Sequence, residues 1–288
     1  MSKITIEQSH LINSLRCERL TSNIINKELI LRFENHRNNG LAESLRQEAW
    51  SDDAEGNVNY YLIKDTNDNI LFFFSLKCGA LFHHLNEEQI QYKAKLWNTL
   101  ESILKNPDTS DPTAMLIIEK LRTGKDVTDE ELIGYVGKTA TEKRNLLTSI
   151  SKDRQTEKNG HIVRVDTTHS GVELVHFCKN DNCNVWSTWG LPQSLGNVVF
   201  WHFIVPLFEN VQKIVGCKYA FLFAADLSED GSLINYYQTA LHFDMPKDIG
   251  TNKPIYDLSC RFMCQTVNTL VNNRVMFFED FNPDRDSV

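Results

Sequence analysis

The run Ile70-Leu71-Phe72-Phe73-Phe74-Ser75-Leu76 carries a single hydroxyl among apolar side chains. Side chains in a strand alternate between its two faces, so a strand of this composition is buried on both. Tyr60-Tyr61-Leu62-Ile63 stands before it, across the turn-rich stretch Asp65-Thr66-Asn67-Asp68-Asn69. Together they predict an antiparallel hairpin in the interior of a sheet. The Asp/Asn cluster lacks the glycine and the distal glutamate of a calcium-binding EF-hand loop, which leaves a plain hairpin turn as its reading.

Around this hairpin the chain of 288 residues has room for one large domain, or for a domain of ~150 residues with a sizeable elaboration. Ile4 to Trp50 reads as helical, with Leu11, Ile12 and Leu15 at helical spacing. A break falls at Asn38-Asn39-Gly40, and Asp52 to Asn57 reads as a polar loop. From Leu85 to Asn159 the sequence turns to Lys, Glu, Gln and Leu, with capping signals at Asp108 to Asp111 and Thr128 to Glu131. Amphipathic helices are expected at Glu87–Leu104, Pro112–Leu121, Asp129–Val136 and Thr141–Ser151, and Ser151 to Gly160 is expected to be exposed. Strand character returns at His161–Asp166 and Gly171–Cys178. After a loop, a helix is expected from about Gly196 to Val215, a strand at Tyr219–Ala225 and a helix at Ser232–Leu241. Further strands are expected at Ile255–Gln265 and Thr269–Phe278. Strand-helix-strand order near the C-terminus implies an α/β fold with a mixed sheet.

Composition narrows the function classes. The formal net charge of −8 gives no general attraction to nucleic-acid backbones or anionic lipid. Met1 to His10 is too polar for a signal peptide, and no apolar run reaches about 18 residues, so a cytoplasmic protein without a membrane span is expected. Seven cysteines at irregular spacing fit reduced thiols. His176, Cys178 and Cys183, and the pair Cys260 and Cys264, lack the tight paired spacing of zinc sites, so no metal is expected.

The chemistry centres on Gly171 to Cys178, a loop, and Gln193-Ser194-Leu195-Gly196-Asn197-Val198. A strand that leads through a loop into a helix start makes an anion site from backbone N–H groups and the helix dipole. A glycine there lets the backbone approach a phosphate closely.

These residues resemble the GNAT superfamily of N-acyltransferases. Gln193 and Gly196 match its Q/R-x-x-G-x-G/A cofactor signature, and Val198 stands where a small residue is usual. A β-branched side chain at that place would crowd a pyrophosphate. Downstream, Gly216-Cys217 through Ala224-Ala225 and then Tyr236-Tyr237 to Phe243 resemble the family's next strand and helix, with His242 in place of a glycine. Arg32 through Ala49 and Tyr61 to Asp65 resemble the first helices and hairpin of toxin-type members.

The resemblance implies a splayed, mixed sheet flanked by helices, with residues 81–160 inserted as a helical subdomain between an N-terminal half (1–80) and an acetyl-CoA-binding half (161–288). It implies acetyl-CoA as cofactor, held by Val175, His176, Phe177, Gln193, Ser194, Leu195, Gly196, Asn197 and Val198. It implies direct transfer to an amine on a small molecule, a protein or an aminoacyl-tRNA. The acidic balance speaks against the last.

Tyr237 matches the tyrosine that protonates the departing thiolate, with a core aromatic as its other reading and Tyr236 as the alternative if the register slips by one. Glu173 is the candidate base. Strand alternation places His176 on the face of Leu174, opposite Glu173. His202 reads as structural, and Cys178 and Cys217 have no setting that would make them nucleophiles. Trp186, Trp189 and Trp201 could stack a ligand or pack the loop. The competing reading is a catalytically inactive member that binds a protein partner, or itself, through residues 85–151.

Overall fold

The computed structural model describes residues 6–84, 110–123, 128, 131, 155–158, 161–183, 194–226, 230–251 and 260–279. The chain divides into two compact units, one of Met1–Leu81, His169–Pro246 and Lys253–Val288, the other of Phe82–Thr168 and Lys247–Asn252.

The first unit opens with helix α1 (Ile6–Ser14), strand β1 (Arg16–Arg19), a short helix α2 (Asn26–Leu29), and helices α3 (Asn39–Gln47) and α4 (Ala49–Glu55). The hairpin follows as β2 (Asn59–Lys64) and β3 (Ile70–His84). It is antiparallel, with Leu62 opposite Phe73 and Ile63 opposite Phe72. Its turn is organised by Asp65, whose carboxylate accepts from the backbone N–H of Asn67 at 2.8 Å and of Asn69 at 2.9 Å, as an Asx turn does.

β1 is a strand that the sequence did not announce. It pairs antiparallel with β2, Cys17 opposite Ile63. Buried polar groups fasten it. Lys64, 1% exposed, reaches Glu18 at 2.5 Å and also bonds Asn26. Asp53, read as part of a polar loop, is instead a buried residue of α4. It accepts from the Arg19 guanidinium at 2.9 Å and from the N–H groups of Thr21 and Tyr60.

The remaining strands of this sheet are β5 (His161–Lys179), β6 (Tyr219–Ala224) and β8 (Arg261–Thr266), and the order is β1-β2-β3-β5-β6-β8. Two stretches expected as separate strands are thus one strand, β5. It is antiparallel to β3: Asn180 just past its end donates to the Leu71 carbonyl, and Gly171 packs against Leu81. β5 and β6 are parallel, and β6 and β8 antiparallel.

Two apolar clusters sandwich the sheet. One face carries Phe72, Phe74, Leu76, Val172, Leu174, Ala220 and Leu222 under the helices of the C-terminal half. The other carries Tyr60, Leu62, Phe73 and Cys178 under Phe33, Ala42, Leu45 and Ala49 of the N-terminal helices. The apolar run of β3 is therefore buried on both faces, as its composition requires.

Helix α6 (Leu195–Val199) passes through a π turn (Phe200–Ile204) into α7 (Val205–Val215). By length and composition alone this continuous helix would pass for a membrane span, but Val198, Val199, Phe200, Ile204, Val205 and Phe208 are buried in the core. Helix α8 (Ser232–Thr239) follows β6.

The last described element is helix α9 (Val267–Glu279), where a strand was expected over Thr269–Phe278. Val267 and Leu270 are buried and Val271, Phe277 and Phe278 pack on the same core, a helical rather than a two-residue period. Thr266 caps it, its hydroxyl accepting from the Thr269 N–H at 3.2 Å.

In the second unit, β4 (Gln155–Lys158) pairs antiparallel with the first part of β5, and the end of β3 pairs with β7 (Ile249–Gly250). Its helix α5 (Pro112–Arg122) agrees with the expected Pro112–Leu121 and begins at Asp111, whose carboxylate accepts from the Thr113 N–H. Thr128 and Glu131 form the reciprocal capping box that the sequence suggested. The expected helices Glu87–Leu104 and Thr141–Ser151, and Asp129–Val136 apart from Glu131, lie outside the described residues.

Candidate active site

Strands β5 and β6 pair only at Gly171–Tyr219, Val172–Ala220 and Glu173–Phe221. Beyond these pairs β5 runs on to Lys179 and β6 to Ala224 without pairing to each other. A gap therefore opens between two parallel strands inside a sheet. At its closed end the Phe221 ring lies so close over the backbone that a Cβ on Gly171 would come within 2.9 Å of it, and a Cβ on Gly79 within 2.5 Å. Glycine at both places lets the ring bridge the three strands.

β5 also changes phase along the gap. Val172 and Leu174 point into the core of the C-terminal helices, and so does Phe177, one place out of step with the alternation that would run from Leu174 to His176. His176 instead stacks on Tyr60 (5.6 Å, 24° between planes) and leans on Phe73 (6.0 Å), both in the opposite core. One extra residue between Leu174 and Phe177 accounts for this, as in a β-bulge. It corrects the expected placement: His176 lies opposite Leu174, not beside it, and shares the side of Glu173. Its Nδ1 is 2.7 Å from the Ser75 hydroxyl, and burial holds its pKa down at about 4 against a smaller opposing pull from Asp52. Glu173 is half-buried. Burial pushes its carboxyl up, and the nearby Lys77 ammonium pulls it the other way.

The helix start at α6 is capped by Ser194, whose hydroxyl accepts from the Asn197 N–H at 3.3 Å. The Val198 N–H goes to the Ser194 carbonyl. This leaves the N–H groups of Leu195 and Gly196 as donors that no carbonyl of the helix can reach. Gly196 faces Tyr236: a Cβ there would lie 2.7 Å from its hydroxyl. Val198 and Leu195 turn their side chains into the core, 0% and 3% exposed. Val198 therefore does not crowd the helix start, which removes the obstacle expected from its β-branched side chain. Asn197 Oδ1 is buried and has no hydrogen-bond partner among the described residues. Gln193, and with it Trp186 and Trp189, lies outside the described residues.

The two tyrosines of α8 divide their tasks. The Tyr236 hydroxyl meets the Ser194 side chain at the helix start. Tyr237 is buried against Phe243, and its phenol lies close enough to Cys178, at the end of β5, and Cys260, just ahead of β8, for those thiols to act on its ionisation. Both strand ends are at the wide end of the gap. Burial pushes the Tyr237 phenol well above its ordinary value, so it stays protonated at neutral pH.

In sequence, the chain matches no family model and no curated protein. In structure, it is similar to a mutant of the AtaT toxin (9% identity, TM-score 0.47, over 94% of this chain and 95% of that one). It is also similar to AtaTR bound with acetyl-CoA (12% identity, TM-score 0.46, 90% and 96%), and to AtaT complexed with acetyl-methionyl-tRNAfMet (11% identity, TM-score 0.45, 89% and 96%). At these identities and TM-scores the likeness is one of chain path alone.

Other candidates resolve as packing. Trp201 is 1% exposed, stacks on Phe277 and donates its indole N–H to the Ala240 carbonyl at 3.2 Å. His202 packs against Phe203 and Phe278, its pKa lowered by burial and by Arg274. Burial pushes the Cys178 thiol up to about 12 and raises that of Cys217, the opposite of what a nucleophile needs. Sequence reasoning missed Ser75 and Lys77. The signal for Ser75 was present, as the lone hydroxyl in the apolar run of β3.

Proposed function

We propose that the protein is an acetyl-CoA-dependent N-acyltransferase that transfers the acetyl group directly to an amine. The observation that carries this reading is the gap between β5 and β6, an opening in the middle of a sheet with a capped helix start and a buried tyrosine beside it. The residues present fit the cofactor. Gly196 leaves the helix start without a side chain, Val198 is turned away, and Asn197 Oδ1 is a buried polar atom in need of a partner.

In this reading the N–H groups of Leu195 and Gly196 bind the pyrophosphate, helped by the positive end of the helix. Unpaired backbone groups of Val175 and Phe177 along the gap orient the amide arm. Acetyl-CoA bound there supplies an acetyl thioester for the amine to attack. The Glu173 carboxylate, raised by burial, accepts the proton of the attacking amine directly or through water. Tyr237 holds a proton on its phenol oxygen and delivers it to the departing sulfur.

Thermal unfolding with and without acetyl-CoA tests the reading. A midpoint that climbs with ligand concentration is expected, and none at millimolar ligand would sink it. Tyr237→Phe should lower kcat roughly a hundredfold while acetyl-CoA still binds. Unchanged turnover would remove Tyr237 from the mechanism.

A further inference from the structure

Ser75 is fully buried within the otherwise apolar run Ile70–Leu76 of β3. A buried hydroxyl is unfavourable unless it is hydrogen-bonded, and its partner is His176 Nδ1 on the neighbouring strand at 2.7 Å. His176 stands at the point where β5 has changed phase. Leu174 is the last side chain on the first course, and Phe177 is the first to return to the same core. A slip of β5 by one residue would turn Phe177 out of that core, take His176 off Tyr60 and leave Ser75 without its partner. The buried apolar pattern opposes such a slip, and a directional bond between two particular atoms adds a point of register that packing alone does not supply.

We propose that Ser75 and His176 are positioning residues that lock the out-of-phase course of β5 and so aim its backbone groups into the gap that receives acetyl-CoA. This rests on the acyltransferase reading. The ring does the work in its neutral form, stacked on Tyr60, so the lock persists at neutral pH. Neither side chain has to touch the ligand. What they control is which backbone N–H groups of Val175 to Phe177 face β6 and which face β3.

The test separates binding from stability. Acetyl-CoA affinity by isothermal titration calorimetry and thermal midpoints are measured for the wild type, Ser75→Ala, His176→Phe and the double variant. Each single change leaves a polar group without its partner and lowers the midpoint. The double change removes both polar partners and recovers part of it. Affinity for acetyl-CoA should fall about tenfold or more in all three variants, and should not recover in the double one.

If affinity is unchanged in the variants, or returns with the midpoint in the double variant, the pair is only structural and the proposal is overturned. If the wild type itself gives no heat of binding with acetyl-CoA, the acyltransferase reading falls and takes the proposal with it. Should His176→Phe fail to fold, the smaller Ser75→Ala decides by the same comparison.

Discussion

At position 242 a histidine adopts φ +58, in the left-handed region that favours glycine. The sequence had flagged this place because a glycine is usual there in the family that the chain resembles. The backbone explains the preference, and the side chain gives the exception its contact: the imidazole lies 5.8 Å from the Trp201 ring. His242→Ala and His242→Gly both remove the ring and differ only at Cβ. The alanine variant should be less stable than the glycine variant by about 1 kcal/mol, read as a difference in urea midpoints. Equal midpoints would mean that the strain is absent. Val198 teaches the complementary lesson. As a letter it breaks the cofactor signature, yet its side chain is fully buried. Which face of a helix turns inward near its first residue depends on the sheet beneath it, which local sequence does not encode.

At the scale of elements, the π turn between α6 and α7 has a cause in Pro206. Proline has no N–H to give to the ladder. The Val205 N–H bonds the Phe200 carbonyl, five residues back, and the Trp201 carbonyl would need the N–H that Pro206 lacks. The Arg274 guanidinium of α9 takes its place at 2.8 Å and also lies over the Phe278 ring. Arg274→Met keeps most of the aliphatic stem and loses the bond. It should cost about 1–2 kcal/mol, seen as a lower urea midpoint at unchanged m-value; an unaltered midpoint would show that water serves the carbonyl equally well.

The same elements show what local sequence could and could not reveal. The β2–β3 hairpin, α5 and the capping box at Thr128 were legible because their signals are local: an apolar run, an Asx turn, reciprocal side-chain caps. β1 was not, since Arg16-Cys17-Glu18-Arg19 has no strand pattern and is held by distant partners, Lys64 and Asp53. α9 was mistaken for a strand because its apolar residues are spread widely and its cap is a threonine at the end of β8. In the candidate site, the strand, the helix start and Tyr237 were visible as motif positions. The phase change in β5 was not, because a bulge is decided by the neighbouring strand, and with it the true side of His176 stayed hidden.

For the whole molecule, the two cores bury titratable groups whose protonation links stability to pH. His176 is held neutral by burial, with its pKa lowered from 6.5 to about 4, and His202 is lowered as well. In the unfolded chain both take up a proton near pH 6.5. Between the unfolded and folded values the unfolded state therefore binds more protons, and stability falls as pH falls through that window. For His176 the loss between pH 7 and pH 5 comes to about 2 kcal/mol. Glu18, lowered by its bonds to Lys64 and Asn26, adds to the loss only at more acid pH, as its folded form is finally protonated. Glu173 works in the other direction, since its raised pKa makes the folded state the better proton acceptor as pH drops toward the ordinary carboxylate range. The histidines take up protons in the unfolded chain from about pH 6.5 downward, so their linkage should lower the urea midpoint from pH 7 to pH 5. His176→Phe should be less stable at pH 7 but show a shallower slope, because it removes the larger of the two linked groups. A midpoint that is flat over this range in the wild type, or a slope unaffected by the substitution, would mean that His176 is open to protonation in the folded protein, and the stacked, Ser75-bonded ring between β3 and β5 would have to be abandoned.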